Sequence, residues 1–234
     1  GSIPDLSSNT ALTNFIAHNN SLTGSIPSLS LNTALEHFVV TGNDLTGSIP
    51  DLSSNTALLN FYAQFNSLTG SIPDLSSNTA LVIFVVNDND LTGSIPDLSS
   101  NTALTNFHAQ ENSLTGSIPD LSSNTALTIF IAHQNSLTGS IPDLSSNTAL
   151  TKFEVDDNSL DAFTGSVTST LLRFKANNNN LSATVVNAIL AAFVAAGSSN
   201  GFLNVGGNNA APTGQGLIDA QTLRDRNWSV TVTP

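Results

Sequence analysis

Apolar positions recur along this chain in blocks, each with the pattern L-x-x-F-x-[A/V]-x-x-N-x-L. In the first block the pattern is Leu12, Phe15, Ala17, Asn20 and Leu22. Phe and Ala alternate with polar or variable residues, which is the pattern of a strand whose successive side chains point to opposite faces. We therefore expect one short strand per block, with Phe and Ala in the core. Strands of successive blocks should pair in parallel, about 4.8 Å apart.

The blocks repeat every 23 residues, and each is linked to the next by a G-S-I-P segment. A fixed period of roughly 20–50 residues indicates a solenoid, in which each repeat packs on its neighbours. The prolines keep the period without a slip: Pro4, Pro27, Pro50, Pro73, Pro96, Pro119 and Pro142.

An asparagine follows each strand where the chain must turn. A buried asparagine can bond backbone groups of neighbouring turns, which is why a polar residue is tolerated there. The D-L-S-S-N-T segment on the far side is too short and polar for a helix, and it predicts turns or 3-10 helix. The asparagines of the column are Asn20, Asn43, Asn66, Asn89, Asn112, Asn135 and Asn158.

This block resembles the leucine-rich repeat, L-x-x-L-x-L-x-x-N-x-L, with Phe in place of the second leucine. The following L-T-G-S-I-P is similar to the plant-type subclass, L-x-G-x-I-P. The resemblance covers about residues 1–180, in seven copies and a drifted eighth. It implies an α/β repeat solenoid, a right-handed superhelix with about nine parallel strands on its concave face, turns on its convex face and a helical C-terminal cap.

The repeat pattern breaks after Leu160, and a different pattern follows the eighth copy. Apolar residues at helical spacing within 182–196 predict an amphipathic helix, with Ser182 as its N-cap and Gly197 as its stop. These apolar residues are Val186, Ile189, Leu190 and Phe193.

Three further elements are expected in the tail: a ninth strand at 202–205, a short helix at Leu217–Arg226 and a final edge strand after it. We assign residues 1–181 to the solenoid and 182–234 to capping repeats within one continuous domain, because open solenoid ends require caps. The tail also resembles terminal caps of bacterial surface proteins and phage tail-fibre proteins.

Composition removes several classes of function. Charged residues are 9% of the 234, and the net charge is −12, which disfavours nucleic acid and anionic membrane surfaces. Without cysteine, neither a disulfide framework nor a thiolate metal site can form. No stretch approaches the ~18 apolar residues of a membrane span, so we expect no membrane insertion. An extracellular, cell-surface or virion location fits this composition. The chain begins inside a repeat, and we interpret it as part of a longer protein.

Comparison of the repeats with one another predicts a binding face. The convex D-L-S-S-N-T-A is nearly identical in all copies, whereas the outward strand positions and the residues after them vary. We expect the convex segment to be exposed too, and yet its sequence has not drifted. We therefore interpret the variation on the concave side as a sign of recognition rather than of neutral drift. The candidate partner-binding residues are Ile16, His18, His37, Val39, Tyr62, Gln64, Phe65, Val85, Asn87, Asp88, His108, Gln110, Glu111, Ile131, His133, Glu154 and Asp156.

Tyr62, Phe65 and the aliphatic members of this set predict an apolar and aromatic ridge on the concave face. The function we favour is a non-catalytic adhesin or binding module for a protein or glycan on a cell surface, such as a phage tail-fibre or bacterial receptor-binding region. Two alternatives stay open. One is a structural spacer or virion decoration without ligand; the other is a secreted inhibitor or receptor ectodomain, a class that normally carries paired cysteines.

Enzymatic and metal sites are weaker interpretations. Asp88 and Glu111 occupy one column in adjacent repeats, near the roughly 5 Å separation of retaining glycosidases, but an open sheet offers no enclosed pocket. Glu154, Asp156 and Asp157 could offer oxygens to calcium, yet a solvated acidic patch is the simpler interpretation. The four histidines fall in different columns or distant repeats. We therefore expect no catalytic residue, metal or cofactor.

Overall fold

Each repeat contributes one three-residue strand, and successive strands lie side by side in a single parallel sheet. The structure is a computed structural model that describes residues 1–163 and 165–234. The elements are β1 (Asn14–Ile16), β2 (Thr23–Gly24), β3 (His37–Val39), β4 (Asp44–Leu45), β5 (Asn60–Tyr62), β6 (Ile83–Val85), β7 (Asn106–His108), β8 (Ile129–Ile131), β9 (Thr138–Ile141), β10 (Lys152–Glu154), β11 (Ser159–Phe163), β12 (Arg173–Lys175), α1 (Ala183–Ala196), β13 (Phe202–Asn204), α2 (Gln215–Asp225) and β14 (Ser229–Thr231).

The main sheet has ten strands in the order β1-β3-β5-β6-β7-β8-β10-β12-β13-β14, and every neighbouring pair is parallel. Phe lies opposite Phe in each pair from β1 to β12. The predicted repeat solenoid with a helical cap is confirmed. The sheet exceeds nine strands because the final edge strand, β14, joins it.

The phenylalanine of each strand forms a continuous aromatic stack through the core. Adjacent rings have centroids 5.2–5.9 Å apart and planes inclined by only 13–17°. All but the first of these rings are fully buried. The stack consists of Phe15, Phe38, Phe61, Phe84, Phe107, Phe130, Phe153 and Phe174.

The asparagine column after the strands bonds neighbouring turns, as expected. Asn66 is representative: its Nδ2 donates to the Val40 carbonyl at 3.0 Å and to the Ala63 carbonyl at 3.1 Å. Its Oδ1 accepts from the Leu45 amide at 3.1 Å. From the second repeat on, each such side chain therefore bonds backbone groups of two repeats, whereas exposed Asn20 bonds only the Ala17 and His18 carbonyls of its own repeat.

A second asparagine column lies in the D-L-S-S-N-T-A segment, and the sequence analysis missed it. Asn101 is fully buried, and its Nδ2 donates to the carbonyls of Leu75 at 3.0 Å and Asn78 at 2.9 Å. Leu98 is buried as well, and the Asp97 carboxylate accepts from both the amide and the hydroxyl of Ser99. The expectation that this segment is simply exposed was wrong: much of it is constant because it packs or closes a turn.

A second parallel ladder runs beside the main sheet, along the L-T-G-S segments. It consists of the pairs β2–β4 and β9–β11 and of bridges such as Ser48 to Thr69. The Thr69 amide donates to the Gly47 carbonyl at 2.8 Å, and Gly47 has a φ of 73° that favours glycine. This ladder holds successive repeats together on a second side.

The cap closes the C-terminal end of the solenoid. The predicted helix is α1: Ser182 Oγ accepts from the Val185 amide at 3.4 Å, Gly197 ends it with φ 77°, and the four predicted apolar residues are buried. Helix α2 is Gln215–Asp225. Trp228, only 3% exposed, meets Phe193 edge-on at 5.3 Å and donates from Nε1 to the Ser198 carbonyl.

The division of the chain into solenoid and cap at residue 181 stays a prediction. No helix within the described residues is long and apolar enough to cross a membrane.

Candidate functional site

The candidate site is the solvent side of the ten-stranded sheet, which we call the concave face. In the eight repeat strands, from β1 to β12, the central Phe points into the core, so the first and third residues point outward. In β5 the outward residues are Asn60 and Tyr62, on either side of buried Phe61. Parallel register stacks these positions into columns about 4.8 Å apart from strand to strand.

One column on the rim of this face has a left-handed backbone in every repeat. The φ values lie between 52° and 64°, and Phe65 has a φ of 57°. A bulky residue is rare in this region, which costs about 1–2 kcal/mol for residues other than glycine. The sequence feature that could have predicted this conformation is the frequency of Asn, Asp and Gly in the column, since these residues adopt it most readily. The column consists of Asn19, Gly42, Phe65, Asp88, Glu111, Gln134, Asp157 and Asn178.

The predicted site residues fall into three classes of exposure. Ile16 is 61% and Phe65 54% exposed, and His18 and Glu111 are also exposed. Those that are half-buried are His37, Val39, Tyr62, Gln64, Asp88, His108, Gln110 and His133. Those that are buried are Val85, Asn87, Ile131, Glu154 and Asp156.

The five buried residues correct the expectation that all of the columns are open to solvent. Neighbours in register cover them: Val85 lies between Tyr62 and His108, and Ile131 lies between His108 and Glu154. Two large apolar side chains of these columns are exposed, Ile16 and Phe65, and both lie in the first three repeats. With half-buried Val39 and Tyr62 they form the surface that we call the apolar ridge.

Polar side chains around the ridge are tied to one another across strands. His37 Nδ1 lies 2.9 Å from Asn60 Nδ2, and the Thr41 hydroxyl donates to Gln64 Oε1 at 2.9 Å. Further along, burial lowers the pKa of His108, and the nearby Lys152 charge lowers it further. The Glu154 charge opposes this shift, and the net effect favours the neutral imidazole. These contacts fix side chains that would otherwise lose rotamer entropy on binding a ligand.

The carboxyl groups of Asp88 and Glu111 meet at the rim. A hydrogen bond with Asp88 raises the pKa of Glu111, and partial burial and the Asp88 charge raise it further. Asn87 Nδ2 also donates to Asp88. Glu111 is exposed and Asp88 is half-buried, so water reaches both carboxyl groups. The pair is therefore a surface contact in which the Glu111 pKa is raised.

We expect the Glu111→Gln variant to flatten the pH dependence of stability in one window. A raised carboxyl pKa means that ionisation costs more in the folded than in the unfolded chain, so stability falls as pH rises from the ordinary value of 4.5 through the raised pKa. Urea unfolding at a series of pH values upward from 4.5 measures the difference. The control is Glu36→Gln, an exposed acid elsewhere; equal slopes for Glu111→Gln and wild type would contradict the assignment.

Glu154 and Asp156 do not form the solvated acidic patch that we expected. Lys152 Nζ lies 3.0 Å from Glu154 Oε2, Arg173 Nε lies 2.6 Å from Glu154 Oε1, and Lys175 Nζ lies 2.9 Å from Asp156 Oδ2. We call these five residues the charge network. Burial raises the pKa of Glu154, but the hydrogen bonds and charges of Lys152 and Arg173 together lower it below its ordinary value.

Lys152 and Arg173 were missing from the predicted site. Both stand at the first outward position of their strands, the column that also contains His37. That column varies between repeats as the others do, so the same comparison would have found them. Among the described residues, no three His, Cys, Asp or Glu side chains gather in a way that could hold a metal ion.

Comparison with known protein families finds no match, and comparison with curated proteins finds none either. Solved structures do match. A TDR receptor is 26% identical, with a TM-score of 0.75 over 97% of this chain and 40% of that chain. The plant peptide hormone receptor RGFR1 in complex with RGF2 is 29% identical, with a TM-score of 0.75 over 89% of this chain and 34% of that one.

A bacterial structure is similar as well. The functional domain of InlJ from Listeria monocytogenes is 30% identical, with a TM-score of 0.61 over 75% of this chain and 37% of that chain. The chain thus spans less than half the length of each of these three proteins. The parallel ten-stranded sheet, the repeat motif and these likenesses agree: the chain folds as a leucine-rich-repeat solenoid with a helical C-terminal cap.

Proposed function

We propose that this chain is a non-catalytic recognition module that binds a protein or peptide ligand on its concave face, with the apolar ridge at the centre. The observation that carries the proposal is the exposure of large apolar side chains there: Ile16 is 61% and Phe65 54% exposed. Exposed apolar groups on one patch, rimmed by polar residues, are typical of interaction sites, and aromatic residues are enriched in interface centres.

Preorganisation supports the same proposal. The ridge residues stand on strands β1, β3 and β5 or directly after them, and these strands are fixed in register. Phe65 is held in a left-handed conformation that restricts where its ring can point. A ligand that binds such a surface orders few protein side chains, so more of the contact energy appears as affinity.

The similar structures favour a polypeptide ligand over the glycan. RGFR1 was solved with RGF2, and it is described as a peptide hormone receptor. We infer an extracellular or cell-surface location by the same analogy. The receptor-ectodomain alternative gains from these likenesses. The phage tail-fibre context rests on the resemblance of the tail alone.

The internal comparison of repeats supports recognition less strongly than it first did. Part of the constant convex segment is constant because it is buried, so its lack of drift is explained by packing. What remains is that the concave columns vary although their backbone is the same in every repeat. Variation at fixed positions on a rigid scaffold is typical of recognition surfaces.

The test compares two triple variants against a displayed random-peptide library and a glycan array. Tyr62→Ala, Gln64→Ala and Phe65→Ala together remove half of the apolar ridge and its polar neighbour. The matched control is Thr56→Ala, Thr79→Ala and Thr102→Ala, three exposed convex residues. Two aromatic anchors worth more than about 1 kcal/mol each predict at least roughly 30-fold weaker binding of the peptides enriched on wild type.

Unchanged peptide binding by the ridge variant, with unchanged thermal stability, would contradict the proposal. If the chain binds only to the glycan array, and the ridge variant loses that binding, the apolar ridge is still the binding surface but the ligand is a glycan rather than a polypeptide. A native chain that enriches nothing from either probe would favour the spacer alternative.

A further inference from the structure

One asparagine of the cap is placed to react with its own backbone. Asn200 is exposed in the turn between α1 and β13, and Gly201 after it makes this the only Asn-Gly pair of the chain. Within the described residues, the Asn200 carboxamide bonds only the Ser199 hydroxyl, at 3.1 Å from Nδ2. The Gly201 amide has no hydrogen-bond partner among those residues, although the next amide, that of Phe202, donates to the Leu172 carbonyl.

The asparagines that follow the repeat strands are protected by comparison. The Asn66 carboxamide is held by backbone groups at both of its polar atoms, and the amide of the next residue, Ser67, donates to the Leu45 carbonyl at 2.8 Å. Asn112 and Ser113 repeat this arrangement. In these pairs the carboxamide cannot turn toward the following nitrogen, and that nitrogen is already engaged.

Asn227 shows that exposure and backbone conformation alone do not single out Asn200. The two residues are both exposed, and their φ values are 63° and 62°. Asn227, however, is followed by bulky Trp228, whose amide donates to the Leu223 carbonyl at 3.0 Å. The feature that distinguishes Asn200 is therefore the unengaged glycine nitrogen that follows it.

We propose that Asn200–Gly201 is a self-modification site at which the folded chain loses ammonia. The Gly201 nitrogen loses its proton to a base of the solvent and attacks Cγ of Asn200, and the new C–N bond closes a five-membered succinimide. The Cγ–Nδ2 bond breaks, and the proton from Gly201 leaves with the ammonia. Water then opens the ring at either carbonyl and gives aspartate or isoaspartate. Glycine favours closure because no side chain hinders the approach, and the attack is intramolecular.

The isoaspartate product would loosen the edge of the sheet, because it adds one methylene to the backbone at residue 200. Gly201 lies against the Trp228 ring so closely that a Cβ there would collide with it. The Gly201 carbonyl also accepts from the Ser229 amide at 2.9 Å, where β13 and β14 begin to pair. Aspartate, in contrast, keeps the backbone and adopts the left-handed conformation readily.

The site is tested by incubating the folded full chain at mildly alkaline pH, beside a sample unfolded in urea, and mapping the peptides of both by mass spectrometry. In the folded sample we expect Asn200 to be converted, with isoaspartate detected by labelling with an isoaspartate methyltransferase. Asn66, Asn112 and Asn227 should stay unmodified there. An Asn200 that stays intact in the folded chain, or that is converted no faster than Asn227, would overturn the proposal.

Two variants test the effect on the cap, with Trp228, the only tryptophan, as the reporter. Asn200→Gly removes the carboxamide and accepts a φ of 62°, so it should fold and stay unmodified. Asn200→Asp supplies the charge of the product without the extra methylene. After incubation, the wild-type emission should shift to the red as the ring becomes exposed, while incubated Asn200→Gly and fresh Asn200→Asp keep the original emission.

Two results would separate the reaction from its effect. Wild-type chain that contains isoaspartate but keeps its emission would overturn the coupling to the cap. A red shift in incubated Asn200→Gly as large as in wild type would show that another change exposes Trp228, and it would overturn the coupling as well.

Discussion

Phe107→Ala is expected to lower the free energy of unfolding by about 3–5 kcal/mol, as large-to-small changes at fully buried aromatic residues do. Phe107 is 0% exposed and stacks between Phe84 at 5.9 Å and Phe130 at 5.3 Å. Its removal opens a cavity in the middle of the aromatic stack, where parallel strands on both sides prevent collapse. Urea denaturation followed by far-ultraviolet circular dichroism measures the loss.

The matched control is Phe15→Ala at the first strand. Phe15 is only half-buried and stacks on Phe38 alone. We expect it to cost about half as much as the central change or less, since less apolar surface leaves contact. Equal losses at the two positions would show that the stack contributes nothing beyond local burial.

Asn101→Ala is expected to cost about 2–3 kcal/mol, from two buried hydrogen bonds at roughly 0.5–1.5 kcal/mol each together with a small cavity. The two carbonyls that Asn101 serves also accept turn amides, from Asn78 and Leu81, so neither is left without a partner. This keeps the expected loss below that of Phe107→Ala. The same unfolding measurement applies.

Asn9→Ala is the control for this change, because Asn9 holds the same place in the motif but is exposed in the first turn. Exposed substitutions of this kind usually stay within about 0.5 kcal/mol of wild type. A loss in Asn101→Ala as small as in Asn9→Ala would mean that the second asparagine column does not stabilise the turns.

The sequence predicted the fold well because the solenoid repeats one local solution. Alternation around Phe15 and Ala17 decides which side chains face the core, and the 23-residue period then dictates parallel pairing. Val186, Ile189, Leu190 and Phe193 likewise fall on one buried face of α1. The second asparagine column was not predicted, because Asn101 lies among Ser and Thr residues and nothing in that polar segment distinguishes the one side chain that is buried.

The site was predicted less completely, because exposure depends on neighbours that one repeat does not specify. Val85 and Ile131 share a column with exposed Ile16, yet flanking side chains in adjacent strands cover them. Glu154 and Asp156 looked solvated because their pairing depends on geometry: Lys152 shares a strand with Glu154, and Arg173 and Lys175 reach the two acids from the next strand. The left-handed conformation of Phe65 could not be predicted from its residue type, because bulky residues rarely adopt it.

Tyr62 is the only tyrosine of the chain and stands in the apolar ridge, so it reports directly on the proposed recognition surface. The deciding measurement is the fluorine spectrum of the fluorotyrosine-labelled chain during titration with a peptide enriched from the displayed library. Binding at the ridge predicts that this single resonance shifts to saturation with the affinity measured for the peptide. A resonance that stays unchanged while the peptide binds would place recognition elsewhere and contradict the account.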